Sequence, residues 1–182
     1  MNYRYTDKQV KELMKGFTVV SDSREQNNAE ILSYFARKKV PYVIKAQETG
    51  DYGCYIKANP ELGIMIDLNI PARIERKNGP DELAGNLQSS TEVRFKNELH
   101  RSKDIPFTIV VEGKDSYYDL IMGNYRSKYK PESLLARLNS LKAAYNFEII
   151  YLEKELIGHY IHHHLKAQAM HYLKNMPIQI YI

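Results

Sequence analysis

The chain has 182 residues, of which 43% are hydrophobic, and its 26 Lys and Arg residues against 22 Asp and Glu residues give a formal net charge of +4. This length is enough to bury the core of one compact domain and argues against two large ones. The single cysteine, Cys54, excludes an internal disulfide, and no run approaches the roughly 18 apolar residues of a membrane span. Because residues 1–7 also lack the apolar core of a signal peptide, we expect an intracellular protein, in the cytoplasm or nucleoid, or in a host cell if a phage encodes the chain.

The first part of the chain alternates between helix and strand signals, as a mixed α/β fold requires. Thr6 is suited to cap a short helix, and Asn27 or Asn28 is suited to cap a second. Pro80 is expected in the first turn of a long helix, where its missing N–H costs nothing. Strands are predicted at Phe17–Ser21, Tyr42–Ala46, Tyr52–Lys57, Ile64–Leu68 and Ala72–Lys77, and the third and fourth of these form a hairpin.

The second part of the chain continues the same alternation. Phe107–Glu112 is an almost continuous apolar run, which predicts a central buried strand. A further strand is predicted at Phe147–Leu152, an edge strand at Pro177–Ile182, and helices at Pro131–Tyr145 and Glu153–Lys174. We therefore predict an α/β fold with a central mixed β-sheet flanked by helices.

Three short polar blocks carry most of the chemical information in the sequence. Asp22-Ser23-Arg24-Glu25 follows the first predicted strand, Gly50-Asp51 follows the second, and Glu75-Arg76-Lys77 ends the strand before Pro80. Carboxylates at strand ends are suited to hold Mg²⁺, which takes oxygen ligands and keeps several waters. A lysine two residues after a glutamate lies on the same face of a strand, where it can hold a phosphodiester beside the metal. The pattern indicates a metal-dependent nuclease.

Each block also has an ordinary explanation when it is taken singly. A Gly-Asp pair often serves only to make a turn, and Glu75 and Lys77 can form a solvated strand face. Asp22 and Glu25 can cap the following helix, and Asp81 suits a helix start through the macrodipole. The joint occurrence of the blocks in this order favours the catalytic interpretation.

Gly50-Asp51, then Glu75-Arg76-Lys77, then Asp81 after three more residues, resembles the G-D…E-R-K-x-x-x-D motif of the XPF-type structure-specific endonucleases. Asp22-Ser23-Arg24-Glu25 is similar to the D-x-R-E block of that family, which belongs to the restriction-endonuclease-like, P-D…(D/E)-x-K superfamily. The resemblance implies one nuclease domain over residues 1–182, with a core of about 17–174. The helix-hairpin-helix module that such enzymes usually append at the C-terminus is not expected here.

The resemblance also implies a divalent cation, Mg²⁺, for which Mn²⁺ is expected to substitute. Asp51 and Glu75 are its expected direct ligands, with the backbone carbonyl of Arg76 as a third oxygen. Asp22 or Glu25 is expected to extend the acidic cluster, either as a ligand or through water. We expect these side chains to belong to the catalytic set.

The same resemblance implies roles for the remaining charged residues of the blocks. Lys77 is expected to orient the attacking water or to stabilise charge developing on the scissile phosphate. Arg76 and Arg24 are expected to hold the acids of the site or to contact phosphate, since a planar guanidinium suits both tasks. Asp81 is expected to support the site from outside the ligand set by pairing with Arg24 or Arg76.

Two basic segments lie outside these blocks. Arg94 and Lys96 belong to the first, and the second is the loop Tyr125–Lys130, whose cations Arg126, Lys128 and Lys130 alternate with aromatic or hydroxyl residues. Such a loop can neutralise phosphates and stack on an exposed base, and an ordinary solvated basic loop fits it equally well. We predict DNA contacts at these five cations.

The expected function is hydrolysis of phosphodiester bonds in branched or single-strand-containing DNA, by a homodimer or together with a partner subunit. Two alternatives remain, a non-catalytic DNA-binding or partner subunit and a restriction-type nuclease of plain duplex. His159 and His163 are spaced i, i+4, as in some zinc sites, but the sequence lacks the glutamate of H-E-x-x-H. We therefore expect these histidines to form a partly exposed helix face.

Overall fold

The computed structural model describes residues 4–88 and 90–177, which divide into two compact units. The first unit contains residues 4–46, 52–72 and 158–177, and the second contains 47–51, 73–88 and 90–157. The elements in chain order are α1 (Asp7–Leu13), β1 (Phe17–Ser21), α2 (Ala29–Arg37), β2 (Tyr42–Ile44), β3 (Tyr52–Ile56), β4 (Leu68–Lys77), α3 (Pro80–Asn86), α4 (Glu92–Ser102), β5 (Phe107–Glu112), α5 (Ser116–Met122), α6 (Pro131–Tyr145), β6 (Glu148–Leu152) and α7 (Lys154–Asn175). None of the described helices is long and apolar enough to cross a membrane.

The first unit is built around the fully buried strand β1. It pairs in parallel with β2, where Val19 lies opposite Tyr42, and antiparallel with β3, where Val19 lies opposite Cys54. The predicted cap at Thr6 is present, because its hydroxyl accepts the Gln9 N–H while the Gln9 side chain accepts the Thr6 N–H. The helix predicted after Asn27 or Asn28 begins at Ala29, with Asn28 at the cap position.

The prediction of separate strands at Ile64–Leu68 and Ala72–Lys77 was wrong. One strand, β4, runs from Leu68 to Lys77 through Pro71, and Ile64 makes only an isolated bridge to Asn59. The ladder between β4 and β5 begins at Arg73, whose N–H donates to the Pro106 carbonyl. Backbone N–H groups of residues two positions apart point to the same side of a strand. The N–H that Pro71 lacks would therefore point to the same side as the Arg73 N–H, before the ladder with β5 begins. A proline is tolerated there because no ladder bond is lost.

The second unit contains the parallel part of the sheet. Residues 73–77 of β4 pair with β5, and β5 pairs with β6, with Ile109 opposite both Glu75 and Ile149. The complete strand order is β2-β1-β3-β4-β5-β6. This arrangement confirms the predicted α/β fold, a central mixed β-sheet flanked by helices. The unit's core includes Leu83, Ile109, Leu120, Leu134 and Phe147.

The helical part of the second unit differs from the prediction in two places. The single long helix expected from Pro80 is two helices, α3 and α4. The chain turns between them, where the Thr91 hydroxyl donates to the Gly85 and Gln88 carbonyls and so competes with helix continuation. Helix α5 was not predicted, because its exposed tyrosines and short length gave no clear helical period. The predicted edge strand Pro177–Ile182 lies, beyond Pro177, outside the described residues.

Candidate active site

Glu75 and Lys77 lie on one face of β4, two residues apart near its end. The Lys77 Nζ atom lies 2.5 Å from Glu75 Oε1, and both side chains are buried. The Lys77 ammonium also lies 3.5 Å from Glu82 Oε1 and 5.9 Å from the centre of the Phe95 ring. A lysine enclosed in this way presents its charge at a fixed position in a site that excludes most water.

The charge balance around this pair favours a cationic lysine. Burial lowers the pKa of Lys77, but the charge of Glu75 and its hydrogen bond, with Glu98 and Glu82, outweigh burial and leave the pKa raised. Burial raises the pKa of Glu75 well above its ordinary value, and the negative charges of Asp51 and Glu98 raise it further against the effect of Lys77. Glu75, Asp51 and Glu98 thus place several acidic groups around one lysine, an arrangement that a divalent cation would also favour.

Asp51 is brought to β4 by the backbone of Gly50. Gly50 has φ of +71°, and a Cβ at this residue would lie 3.0 Å from the Arg73 Cβ and 3.2 Å from the Ile74 carbonyl oxygen. This close approach lets the Asp51 N–H donate to the Ile74 carbonyl at 2.9 Å. The Asp51 carboxylate then accepts the Arg76 N–H at 2.8 Å, which fixes it beside the residue that follows Glu75.

Arg76 lies on the other face of β4 and is paired with Glu112, a residue that the sequence analysis left outside the site. The Arg76 Nη1 atom donates to Glu112 Oε2 at 2.9 Å, and the two side chains are 4% and 15% exposed. Ser116 holds the strand end, because its hydroxyl donates to the Glu112 carbonyl at 2.6 Å. Glu112 ends the apolar run of β5, so the strand-end rule applied to the three polar blocks would have found it.

Asp81 contacts a different arginine from those expected. Its Oδ1 atom accepts the Arg126 backbone N–H and its Oδ2 atom accepts the Arg126 Nε–H, both at 2.7 Å. These two hydrogen bonds lower the pKa of Asp81. The predicted pairing with Arg24 or Arg76 is wrong because Arg24 binds Asp22 and Arg76 binds Glu112.

The block around Asp22 lies in the first unit, where its charged side chains have partners close by in sequence. Asp22 is 2% exposed and accepts the Arg24 backbone N–H at 2.7 Å and two guanidinium N–H groups at 2.9 Å and 2.8 Å. Glu25 accepts the Asn27 N–H at 2.8 Å. The contacts described above bring Asp51, Glu75, Arg76 and Lys77 together in the second unit. The metal roles predicted for Asp22 and Glu25 stay predictions.

The donor chemistry of the second unit fits a magnesium-type ion held by two protein carboxylates. Within residues 4–88 and 90–177, no group of three or more His, Cys, Asp or Glu side chains is arranged to hold a metal. Mg²⁺ commonly binds through one or two carboxylates and keeps its remaining ligands as water, so such a group is not required. Asp51 and Glu75 would supply the two carboxylates, and the negative charge of Asp51 is close enough to raise the pKa of Glu75, after the larger effect of burial.

The predicted DNA-contacting cations fall into two surroundings. Lys96 lies 3.0 Å from Glu92, which is also paired with Arg137, whereas Arg94 is exposed on α4. Arg126, Lys128 and Lys130 are exposed in the loop between α5 and α6. The tyrosines of this loop, Tyr125 and Tyr129, pack instead against the hydrophobic core, so the predicted stacking of these rings on a base does not fit their positions.

The mixed sheet flanked by helices, with a carboxylate and lysine pair near the end of β4, has the fold of the XPF-type nucleases. The chain belongs to the ERCC4 domain family, which matches residues 21–163 and confirms the XPF-type resemblance. No curated protein matches the chain.

Two solved structures of XPF from Aeropyrum pernix share the fold. The first has a TM-score of 0.58 and 18% identity over 87% of this chain and 66% of that one. The second, titled as a complex with DNA, has a TM-score of 0.54 and 20% identity over 80% of this chain and 63% of that one. The chain therefore spans less than two thirds of the length of either relative.

Proposed function

We propose that this chain is a divalent-metal-dependent endonuclease that hydrolyses phosphodiester bonds in branched or single-strand-containing DNA. The observation that carries the proposal is the fixed set formed by Asp51, Glu75 and Lys77, in which a buried lysine lies 2.5 Å from a carboxylate that other acids surround. Membership of the ERCC4 domain family supports a nuclease, and the Aeropyrum pernix relative titled as a complex with DNA supports a DNA substrate.

In this mechanism Asp51 and Glu75 would hold the cation, Mg²⁺ or in its place Mn²⁺. When bound, the ion supplies Lewis acidity at the phosphate and lowers the pKa of water. The Lys77 ammonium donates to a non-bridging phosphate oxygen or to the attacking water, and it stabilises charge that develops in the transition state. Glu82 Oε1 lies 3.5 Å from that ammonium and gives it a second acidic partner beside Glu75.

Arg76 acts in this mechanism as a support and not as a phosphate contact. Its guanidinium is buried against Glu112, whereas its backbone N–H holds the Asp51 carboxylate. The pair therefore fixes the end of β4, from which Glu75 and Lys77 project on the opposite face. We also propose, from the sequence, that Asp22 or Glu25 extends the acidic cluster, either as a metal ligand or through water.

The test is cleavage of end-labelled fork, flap, Holliday-junction, single-stranded and duplex DNA with Mg²⁺, with Mn²⁺ and with EDTA. Wild type is compared with Asp51→Asn and Lys77→Ala, and with Asp104→Asn as a control for loss of one exposed carboxylate. Metal-dependent cutting by wild type and Asp104→Asn alone would support the proposal. Sequence-limited cutting of plain duplex would favour a restriction-type nuclease. Binding without cutting by a folded wild type would favour a non-catalytic subunit.

Self-association or pairing with a second subunit is also a proposal. Sedimentation of the protein alone and with forked DNA measures it directly. A monomer in both conditions would contradict the homodimer.

A further inference from the structure

The loop between α5 and α6, residues 123–130, separates its charged side chains from its aromatic ones. We name this segment the basic loop. Its three cations, Arg126, Lys128 and Lys130, are exposed, whereas Tyr125 and Tyr129 are half-buried against the core of the second unit. The Tyr125 hydroxyl donates to the Tyr129 carbonyl at 2.8 Å and closes the segment on itself. The loop therefore presents a row of cations from a packed base.

The exposed side of the basic loop is tied to the start of α3, the helix that directly follows the catalytic strand. Asp81 binds both the backbone N–H and the Nε–H of Arg126, at 2.7 Å each. Gln88, just after α3, donates to the Ser127 hydroxyl at 3.4 Å. Asp81 is four residues beyond Lys77, so one short stretch of chain carries both the catalytic lysine and the anchor of the loop.

We propose that Asp81 is a positioning residue that acts through Arg126 and holds the basic loop in place to bind the phosphodiester backbone of the DNA strand being cut. The proposal rests on the proposed nuclease function. It differs from the role expected from the sequence, because Asp81 serves strand binding at a distance from the metal and not the acidic cluster. The cations recognise phosphate charge, so binding by the loop is independent of base sequence.

The effect of removing the Asp81 charge separates this proposal from simple electrostatics. Asp81→Asn removes a negative charge, and Coulomb attraction alone would then make phosphate binding tighter. Loss of the anchor has the opposite effect, because binding must then order the loop and its long side chains. Fixing one such side chain costs enough to raise Kd about two- to tenfold. The sign of the change therefore identifies the mechanism.

The experiment measures Kd for a labelled single-stranded oligonucleotide and a fork by fluorescence anisotropy, in EDTA so that no cleavage occurs. The variants are Asp81→Asn, Arg126→Ala, their double substitution, and Asp104→Asn as a control that removes an exposed carboxylate elsewhere in the same unit. We expect weaker binding by Asp81→Asn and unchanged or tighter binding by Asp104→Asn. In the Arg126→Ala background Asp81→Asn should cause a smaller additional loss, because only its bond to the backbone N–H of residue 126 remains there. Arg126→Ala should also reduce the slope of log Kd against log salt by about one.

Single-turnover cleavage distinguishes strand positioning from metal ligation. If Asp81 positions the loop, Asp81→Asn lowers the rate at subsaturating protein, and saturating protein recovers most of that loss. A loss that persists at saturation and changes the metal dependence would overturn the proposal in favour of a role at the metal. Tighter or equal binding by Asp81→Asn would overturn it as well.

A measurement without DNA tests the anchor itself. The Arg126 amide, which donates to Asp81, should exchange with solvent more slowly in wild type than in Asp81→Asn when followed by NMR. If wild type binds no DNA, the proposed function fails together with the loop's role, even where the amide is protected. If wild type binds and cuts DNA but Asp81→Asn matches it and Arg126 exchange is unchanged, only the positioning proposal fails.

Discussion

Lys77 and Glu75 form a buried ion pair with 2.5 Å between Nζ and Oε1, and this pair joins the stability of β4 to its proposed chemistry. Removing one partner leaves the other charge in a poorly solvated place, so the pair behaves differently from a surface salt bridge. The surrounding acids Asp51, Glu82 and Glu98 increase this dependence on the lysine.

Replacement of Lys77 by Met is expected to abolish cleavage and to destabilise the fold. Loss of one partner from a buried pair costs about 3–5 kcal/mol, an upper range here because Glu75 can take up a proton. Urea unfolding gives the free-energy change, and metal-dependent cleavage gives the activity. Lys114→Met, at an exposed lysine of the same unit, should change neither. Full activity of Lys77→Met would contradict the role proposed for the lysine.

Glu112→Gln is expected to destabilise the protein because it leaves the buried charge of Arg76 without its carboxylate. The free energy of unfolding should decrease by about 3 kcal/mol, near the low end for a broken buried pair, because the amide oxygen of Gln still accepts a hydrogen bond. Urea unfolding of Glu112→Gln beside Glu148→Gln, an exposed residue of β6, measures it. The double variant Arg76→Met/Glu112→Leu should recover stability relative to Glu112→Gln. Equal stability of Glu112→Gln and wild type would show that the pair is not needed.

Gly50→Ala should reduce cleavage more than its cost in stability would explain. An alanine at φ of +71° is strained by about 1 kcal/mol, and its Cβ would also crowd Arg73 and displace Asp51 from the Arg76 N–H. Gly63→Ala is a matched control, because Gly63 has φ of +79° and its Cβ would meet nothing within 4 Å. Both variants carry the same backbone strain, and Gly50→Ala should lose more stability in urea because of the crowding at Arg73, but only Gly50→Ala should lose activity. Equal activities would show that the position of Asp51 tolerates movement.

Stability should fall in mild acid because of His162 on α7. Burial, with the positive charges of His163, Lys166 and His159, lowers the pKa of His162 to about 4. Its ring lies against Phe17 and Tyr34, with ring centres 6.2 Å and 6.5 Å apart. The folded state therefore prefers the neutral imidazole of His162. The stability that this preference contributes is fully present above the ordinary pKa of about 6.5 and is lost as the pH falls towards 4.

Urea midpoints between pH 7 and 4 test this prediction in wild type, His162→Gln and the exposed-site control His100→Gln. The decline should be shallower in His162→Gln and unchanged in His100→Gln. A wild-type slope that persists in His162→Gln would assign the acid sensitivity to other groups. Metal-dependent cleavage at neutral pH should survive His159→Gln and His163→Gln, since their rings contact each other and neither belongs to the proposed metal site.

Local sequence patterns predicted most of the strands and the main catalytic candidates. Alternation along β4 put Glu75 and Lys77 on one face, and the apolar run at Phe107–Glu112 gave the central strand. The pairings of Arg76 with Glu112 and Asp81 with Arg126 could not be read in this way, because they join residues 36 and 45 positions apart. Such partners are selected by sheet register and loop packing, which the period of a sequence does not encode.

The errors in the elements have a similar origin. The break between α3 and α4 depends on hydrogen bonds from the Thr91 side chain, which compete locally with the helix. The strand through Pro71 depends on which side of β4 faces the ladder with β5. In both places the partners of one residue in space decided the outcome.

Pro71 also has a consequence for the behaviour of the protein in concentrated solution. The ladder between β4 and β5 begins only at Arg73. The residues of β4 before Arg73 therefore have no pairing with β5 on the side that faces away from β3. Unpaired strand edges recruit strands from other molecules and so begin aggregation. A strand approaching this side would meet a pyrrolidine ring in place of a donor at residue 71, so the proline is expected to disfavour intermolecular pairing at the start of β4.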